Sequence, residues 1–186
     1  MFFDFGGTLD ANGIPWKERF FGLYRDHGVA VPAAEFALAF YAADAALVGT
    51  IPRTLALRDT VFTLSAAVAR ALGRDAAVGE RVAQRFLDDA GVAFAESAGV
   101  LARLAPRFRL GVVSNFYGNL ERVCADAGLD RWLAVMVDSA CVGCEKPDAR
   151  IFRHATDALG LAPAAVTFVG DSLPRDMAGA RALGMP

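Results

Sequence analysis

Acidic, hydroxyl and lysine side chains follow short apolar segments at four separate places in the sequence. The residues concerned are Asp4 and Thr8, Ser114 and Asn115, Lys146, and Asp171 and Asp176. Carboxylates that are brought together repel one another, and a hard divalent cation such as Mg²⁺ relieves that repulsion. A hydroxyl and an ammonium group beside them would then bind an anion, most naturally a phosphoryl group.

The apolar segments that carry these residues are predicted to be buried parallel strands. They do not alternate between apolar and polar residues, and such continuous runs fit parallel strands covered on both faces. The four segments are Met1–Phe5, Leu110–Ser114, Leu133–Asp138 and Val166–Gly170. Helical patterns follow the later strands, so the sequence predicts an α/β fold with a doubly wound, Rossmann-like parallel sheet. Ligands of such sheets bind beyond the carboxyl ends of the strands, where these polar residues lie.

About a hundred residues separate the first two predicted strands, which is too long for a connecting loop. Apolar residues recur there at helical spacing in four segments. These segments are Pro15–His27, Pro32–Leu47, Thr54–Leu72 and Asp75–Asp89. We therefore expect a four-helix cap, residues 14–96, inserted into an α/β core formed by residues 1–13 and 97–186.

Composition and charge exclude several classes of protein. The 186 residues are 55% hydrophobic and 22% charged, which is not the composition of a disordered chain. A net charge of −2 leaves no basic excess for a nucleic-acid partner. The longest uncharged run, Ala158–Gly170, has 13 residues, whereas a membrane span needs ~20. The start of the sequence has no leader pattern and the number of cysteines is odd, so we expect a cytoplasmic protein. The oligomeric state is left open between a monomer and a homodimer.

The order of the four motifs resembles that of the haloacid dehalogenase (HAD) superfamily, and the resemblance extends over the whole chain. The motifs are Asp4-Phe-Gly-Gly-Thr8-Leu, Ser114-Asn115, Lys146-Pro147 and Gly170-Asp171-Ser172-x-x-x-Asp176. The helical insert is similar to the type-one cap of that superfamily. The resemblance implies a hydrolase that acts on a small phosphorylated metabolite, with Asp4 as the nucleophile that becomes an aspartyl-phosphate.

The resemblance also implies a role for each of the other motif residues. Mg²⁺ would be held by Asp4, the backbone carbonyl of Gly6 and Asp171, with Asp176 supporting it directly or through another ligand. The phosphoryl group would be bound by Thr8, Ser114, Asn115 and Lys146, and Lys146 would also offset the charge on Asp4. Lys146 is one of only two lysines beside 17 arginines, which indicates that a compact point charge is needed there.

One residue departs from the pattern of the family's phosphatases. Gly6 stands where they usually carry a second Asp, the general acid and base, and such a group contributes ~10²–10⁴-fold to a rate. We therefore expect either weak phosphatase activity or a substrate whose leaving group needs no proton. The alternatives are a 2-haloacid dehalogenase-type hydrolase and a catalytically impaired HAD-like binding or regulatory protein. Asp10 or a residue of the cap is a candidate replacement for the missing acid.

Two further features have simpler explanations. Cys141-x-x-Cys144 is half of a zinc site with no second pair at ligand spacing, so these cysteines are expected to be packing residues. Trp16, Lys17 and Arg19 directly follow the first motif. The aromatic residue is expected in the helical core, and contact between one of these three residues and the substrate is the alternative.

Overall fold

A four-stranded parallel sheet forms the centre of the molecule in a computed structural model that describes residues 1–186. The strands are β1 (Phe2–Phe3), β2 (Leu110–Ser114), β3 (Leu133–Asp138) and β4 (Phe168–Val169). Their order is β3-β2-β1-β4, and every neighbouring pair is parallel. The predicted Rossmann-like α/β fold is confirmed. β1 and β4 are shorter than predicted, because Asp4 and Gly170 already belong to the loops that follow them.

Four helices, called the bundle from here on, lie between β1 and β2, as predicted. They are α1 (Trp16–Asp26), α2 (Ala33–Leu47), α3 (Leu57–Ala71) and α4 (Ala76–Leu104). The predicted end of the last helix at Asp89 is wrong, because buried apolar residues continue at helical spacing as far as Leu101 and the glycines at 91 and 99 do not interrupt it. The predicted limit between residues 96 and 97 falls inside this helix, and the division into core and cap stays a prediction.

Four shorter helices cover the rest of the sheet. They are α5 (Leu120–Asp126), α6 (Ser139–Val142), α7 (Ala149–Leu159) and α8 (Ala178–Ala182). A wide turn of π type, Leu173–Met177, connects the loop after β4 to α8. No helix combines the length and the apolar character that a membrane span requires.

The two faces of the sheet belong to two apolar clusters. Successive side chains of a strand point to opposite faces, so Phe3 and Val112 lie on one side and Phe2 and Val113 on the other. The side with Phe3 is continuous with the apolar residues of the bundle. The side with Phe2 packs against α7 and α8. The bundle and one face of the sheet therefore share a single core.

Gly111 of β2 gives a direct test of how tightly the sheet is packed. A Cβ atom at this position would lie 2.5 Å from Cγ1 of Val135 and 3.0 Å from the ring of Phe2. Because the neighbouring backbone is fixed by strand pairing, Gly111→Ala should lower the free energy of unfolding by about 1–3 kcal/mol. The same change at Gly91, an exposed position of α4 with open space around it, should instead raise it by about 0.5–1 kcal/mol. Urea unfolding measures the free energy of unfolding of both variants. Equal values for the two variants would contradict the tight packing around Gly111.

Candidate active site

Three carboxylates meet at the carboxyl edge of the sheet. Asp4 follows β1, Asp171 follows β4, and Asp176 comes from the π-type turn. One oxygen from each lies within 4.8 Å of the others. Asp176 is fully buried and Asp4 is 7% exposed. Because β1 and β4 are neighbours, the sheet itself brings the loops that carry these side chains together.

Two glycines make room for the carboxylates. Gly7 has a φ of +90°, which only glycine adopts readily, and a Cβ atom there would lie 2.6 Å from Oδ2 of Asp171. A Cβ atom at Gly170 would overlap the carboxylate of Asp176. The glycines of the first and fourth motifs therefore allow the two loops to approach as closely as the cluster requires.

Lys146 is the cation within this cluster. Its Nζ atom lies 2.6 Å from Oδ1 of Asp4 and 2.6 Å from Oδ1 of Asp176, and the residue is only 4% exposed. The side chain of Asn115 fixes the Lys146 backbone: Asn115 Oδ1 accepts from Lys146 N at 2.7 Å, and Asn115 Nδ2 donates to Lys146 O at 3.1 Å. Asn115 thus positions the lysine that faces the carboxylates.

The charge of the cluster fits a divalent cation. When all three carboxylates are ionised, Lys146 offsets one of their three charges and leaves two. Burial raises the pKa of Asp171, and the nearby charge of Asp4 raises it further. Burial also raises the pKa of Asp176, against the opposing effect of Lys146. Lys146 Nζ is the group that contacts Asp176 Oδ1. A hard cation with oxygen ligands would offset the two remaining negative charges.

Asp4 has one bound and one free oxygen. Ser114 Oγ donates to Asp4 Oδ1 at 2.9 Å, and Lys146 contacts the same oxygen, so Asp4 Oδ2 accepts no hydrogen bond from the protein.

Thr8, a predicted phosphate ligand, lies outside the group of residues around Asp4. Its hydroxyl is 3.4 Å from Asp171 Oδ1, and the residue lines a separate shallow depression. Thr8 is thus the one proposed site residue that does not line the large cavity, and its contact with a phosphoryl group stays a prediction.

A cavity of about 610 Å³ opens directly beside the carboxylates. This volume lies within the range of small-molecule sites. Seven of the eight residues proposed from the sequence line it, all except Thr8: Asp4, Gly6, Ser114, Asn115, Lys146, Asp171 and Asp176. Its opposite wall comes from α1 and α2 of the bundle, through residues that include Trp16, Lys17 and Asp44.

The indole of Trp16 occupies the space beside Gly6. A Cβ atom at residue 6 would lie 3.3 Å from Nε1 of Trp16. Trp16 Nε1 donates to Asp10 Oδ2 at 2.5 Å, and Arg19 forms an ion pair with the same oxygen at 2.8 Å. Gly7 N donates to the other oxygen of Asp10. A side chain at residue 6 would therefore be in close contact with an aromatic ring that a buried polar network holds in place.

Asp10 is not a replacement acid for Gly6. Burial raises its pKa to about 6 despite the opposing effect of Arg19, but both of its oxygens are engaged and it does not line the cavity. Trp16 and Lys17 do line the cavity, whereas Arg19 turns to Asp10 and to the backbone oxygen of Phe86.

Sequence reasoning missed three residues around the site. Asp138 accepts hydrogen bonds from Gly118 N and Leu120 N, and so fixes the loop that follows Ser114. Tyr117 in that loop donates its hydroxyl to Asp44 of α2. Asp44 is the one charged residue between Phe36 and Leu47, which was the only available signal in the sequence. Cys141 and Cys144 are free thiols.

Comparisons with known proteins show the family of this chain. The family model described as haloacid dehalogenase-like hydrolase matches residues 1–184, so this chain belongs to that family of hydrolases. It is 43% identical over 77 residues to haloacid dehalogenase-like hydrolase domain-containing protein 3 of Mus musculus, a match that covers 41% of this chain and 31% of the mouse protein. It is also 35% identical over 94 residues to phosphoserine phosphatase of Thermus thermophilus, covering 50% and 38% of the two chains. These matches span only about a third of the relatives' length.

The fold is shared with solved hydrolases of the same family. The structure of L-2-haloacid dehalogenase from Xanthobacter autotrophicus superposes with a TM-score of 0.58 at 21% identity, covering 99% of this chain and 74% of that one. At this identity the likeness shows the fold.

Binding of Mg²⁺ by the carboxylate cluster should be visible in thermal stability. A ligand that binds the folded state alone stabilises it by about 2.7 kcal/mol at 100 times its Kd, so saturating Mg²⁺ should raise the Tm. Asp171→Asn should remove the shift, and Asp157→Asn on the exposed side of α7 should retain it. The shift should shrink as pH falls, because protonation of Asp171 and Asp176, whose pKa values are raised, competes with the ion. An equal shift in Asp171→Asn would place the ion elsewhere.

Proposed function

We propose that this hydrolase is a Mg²⁺-dependent phosphatase that acts on a small phosphorylated metabolite through an aspartyl-phosphate intermediate on Asp4. The observation that carries the proposal is the environment of Asp4: one oxygen is held by Ser114 and Lys146, the other accepts no hydrogen bond, and two more carboxylates lie beside it. A cavity that fits a small molecule opens at this point. The phosphoserine phosphatase among the relatives supports the same class of reaction.

The residues of the chain have separate tasks in this reaction. Asp4, Asp171 and Asp176 would hold Mg²⁺ with the carbonyl of Gly6, and the ion would offset the negative charge of the carboxylates and of the phosphoryl group. Asp4 Oδ2 attacks phosphorus in line with the leaving oxygen. Ser114 and Lys146 place a hydroxyl and an ammonium group at the nucleophile, where charge on the transferring phosphoryl group needs fixed donors. Water then releases phosphate from Asp4.

The remaining properties stay predictions from the sequence. They are the cap role of residues 14–96, the cytoplasmic location, the monomeric or dimeric state and the absence of a nucleic-acid partner. The bundle supplies one wall of the cavity, so we propose that it selects the part of the substrate beyond the phosphoryl group.

One observation favours a second function, 2-haloacid dehalogenation. Halide leaves without a proton, and Gly6 provides no proton donor where the family's phosphatases carry one. The two reactions differ in their need for Mg²⁺. A phosphoryl group carries negative charge that the cation offsets, whereas a 2-haloacid has no phosphoryl group. Chloride release from 2-chloropropionate in the presence of EDTA would identify the dehalogenase.

Phosphate release tests the first proposal. Wild-type protein with Mg²⁺ should release phosphate from p-nitrophenyl phosphate and from members of a panel of metabolite phosphates. Asp4→Asn should abolish this activity, because an amide is not a competent nucleophile towards phosphorus, and EDTA should abolish it in the wild type. Asp59→Asn, an exposed change on α3, is the matched control and should retain it.

The outcomes separate the three functions. Equal phosphate release by the wild type and Asp4→Asn would exclude the nucleophilic role of Asp4. Chloride release without phosphate release would establish the dehalogenase. A protein that binds Mg²⁺ but turns over none of these compounds would be the catalytically impaired binding or regulatory protein.

A further inference from the structure

The proposed phosphatase reaction needs a proton donor that Gly6 cannot provide. When Asp4 displaces an alcohol from phosphorus, the leaving oxygen must be protonated unless it is already a stable anion. Outside the carboxylate cluster, three acidic side chains line the cavity: Glu18, Asp44 and Glu145. The question is which of them is held in place to do this work.

Asp44 is the one of the three that the structure fixes in position. It is half-buried in α2, and Tyr117 donates its hydroxyl to Asp44 Oδ1 at 2.5 Å. The same end of α2 is held a second time, because Gly49 N donates to the backbone oxygen of Tyr117 at 3.1 Å. Asp44 Oδ2 accepts no hydrogen bond from the protein, so this oxygen is available to carry a proton.

The tether connects Asp44 to the catalytic edge of the sheet. Tyr117 lies three residues after Ser114, whose hydroxyl donates to Asp4. Tyr117 also packs against Trp16, with ring centroids 6.2 Å apart, and Trp16 is the side chain that fills the space beside Gly6. Asp44 is therefore held over the cavity by the loop that carries a proposed phosphate ligand.

The other two acidic side chains are less suitable. Glu18 is exposed, and its carboxylate is engaged by Lys17 at 2.8 Å. Glu145 is exposed, and no side chain holds its carboxyl group in place. Asp44 has no ion pair. Burial raises the pKa of Asp44, although the hydrogen bond from Tyr117 and the charge of Arg175 act in the opposite direction.

We propose that Asp44 of the bundle is the general acid and base of this phosphatase, in place of the residue that Gly6 lacks. The inference rests on the proposed function. In the first half of the reaction, Asp4 Oδ2 forms a bond to phosphorus and the bond from phosphorus to the leaving oxygen breaks. The electron pair of that bond stays on the leaving oxygen, the proton on Asp44 Oδ2 moves to it, and an alcohol departs.

The second half returns the proton. Asp44, now a carboxylate, accepts a proton from water as the water oxygen attacks phosphorus. The bond between phosphorus and Asp4 breaks, and its electron pair returns to the Asp4 carboxylate. Phosphate departs, and Asp44 is protonated again for the next cycle.

A comparison of two substrates of similar size tests this role. Phenyl phosphate has a poorer leaving group than p-nitrophenyl phosphate, since nitrophenolate is the more stable anion. The ratio kcat/KM covers the steps up to departure of the leaving group, so it isolates the acid step. Asp44→Asn should lower kcat/KM for phenyl phosphate by about 10²-fold or more and should lower it much less for p-nitrophenyl phosphate.

Rapid mixing tests the base step in the same variant. Without Asp44 as a base, hydrolysis of the aspartyl-phosphate becomes slow. Mixing Asp44→Asn with p-nitrophenyl phosphate should therefore release about one equivalent of nitrophenol per enzyme in a rapid burst, followed by a slow steady state. Tyr117→Phe, which keeps the carboxyl group but removes its tether, should change the leaving-group dependence in the same direction by a smaller factor. Asp59→Asn should match the wild type in every measurement, and circular dichroism confirms that each variant is folded.

The possible failures are distinguishable. An equal fall in kcat/KM for both substrates would show that Asp44 only binds substrate, and no fall would show that it is not involved; either result overturns the inference and leaves the role of Asp4 intact. A wild-type protein that cleaves neither the aryl phosphates nor any member of the metabolite panel would overturn the proposed function, and the role of Asp44 with it.

Discussion

Repulsion among carboxylates in a confined space is the constraint on which the site depends. Oxygens of three of them lie within 4.8 Å of one another, two of the three residues are buried, and a single ammonium group lies among them. Unpaired charge in such surroundings is costly, so every neighbouring feature acts to hold or offset it. Ser114 donates to Asp4, Asn115 holds the lysine backbone, and the pairing of β1 with β4 supplies the frame. A divalent cation bound by these oxygens would relieve the repulsion.

Local patterns are enough to predict the sheet and seven of the residues that line the cavity. Each strand is a continuous apolar run, and the carboxyl ends of parallel strands meet at one edge. That geometry alone predicts that Asp4, Ser114 and Asp171 are close together, and the structure places them around one cavity. The length of α4 was misjudged because its glycines lie in the helix interior, where apolar contacts outweigh their low helix propensity.

Other features depend on contacts that no sequence pattern expresses. The Thr8 hydroxyl donates to Asp171, which lies on a different loop. Asp44 lies 40 residues from the nucleophile in an alanine-rich helix, and only the packing of the bundle brings it to the cavity. Trp16 and Gly6 show the same dependence. An acidic side chain at residue 6 would require a small shift of the Trp16 ring, because its Cβ atom would lie 3.3 Å from the indole nitrogen. No pattern in the sequence expresses this contact.

The common core of the bundle and the sheet affects how small molecules enter and leave the cavity. A hinge rotation that lifted the bundle away would expose the buried face around Phe3 and Val112 to water, because the bundle and this face share one apolar core. Entry and exit are therefore expected through the existing mouth, where Tyr41 and Val48 are about half exposed. Only molecules small enough to pass through that opening would reach the polar groups of the site, so the size of a ligand would be selected first.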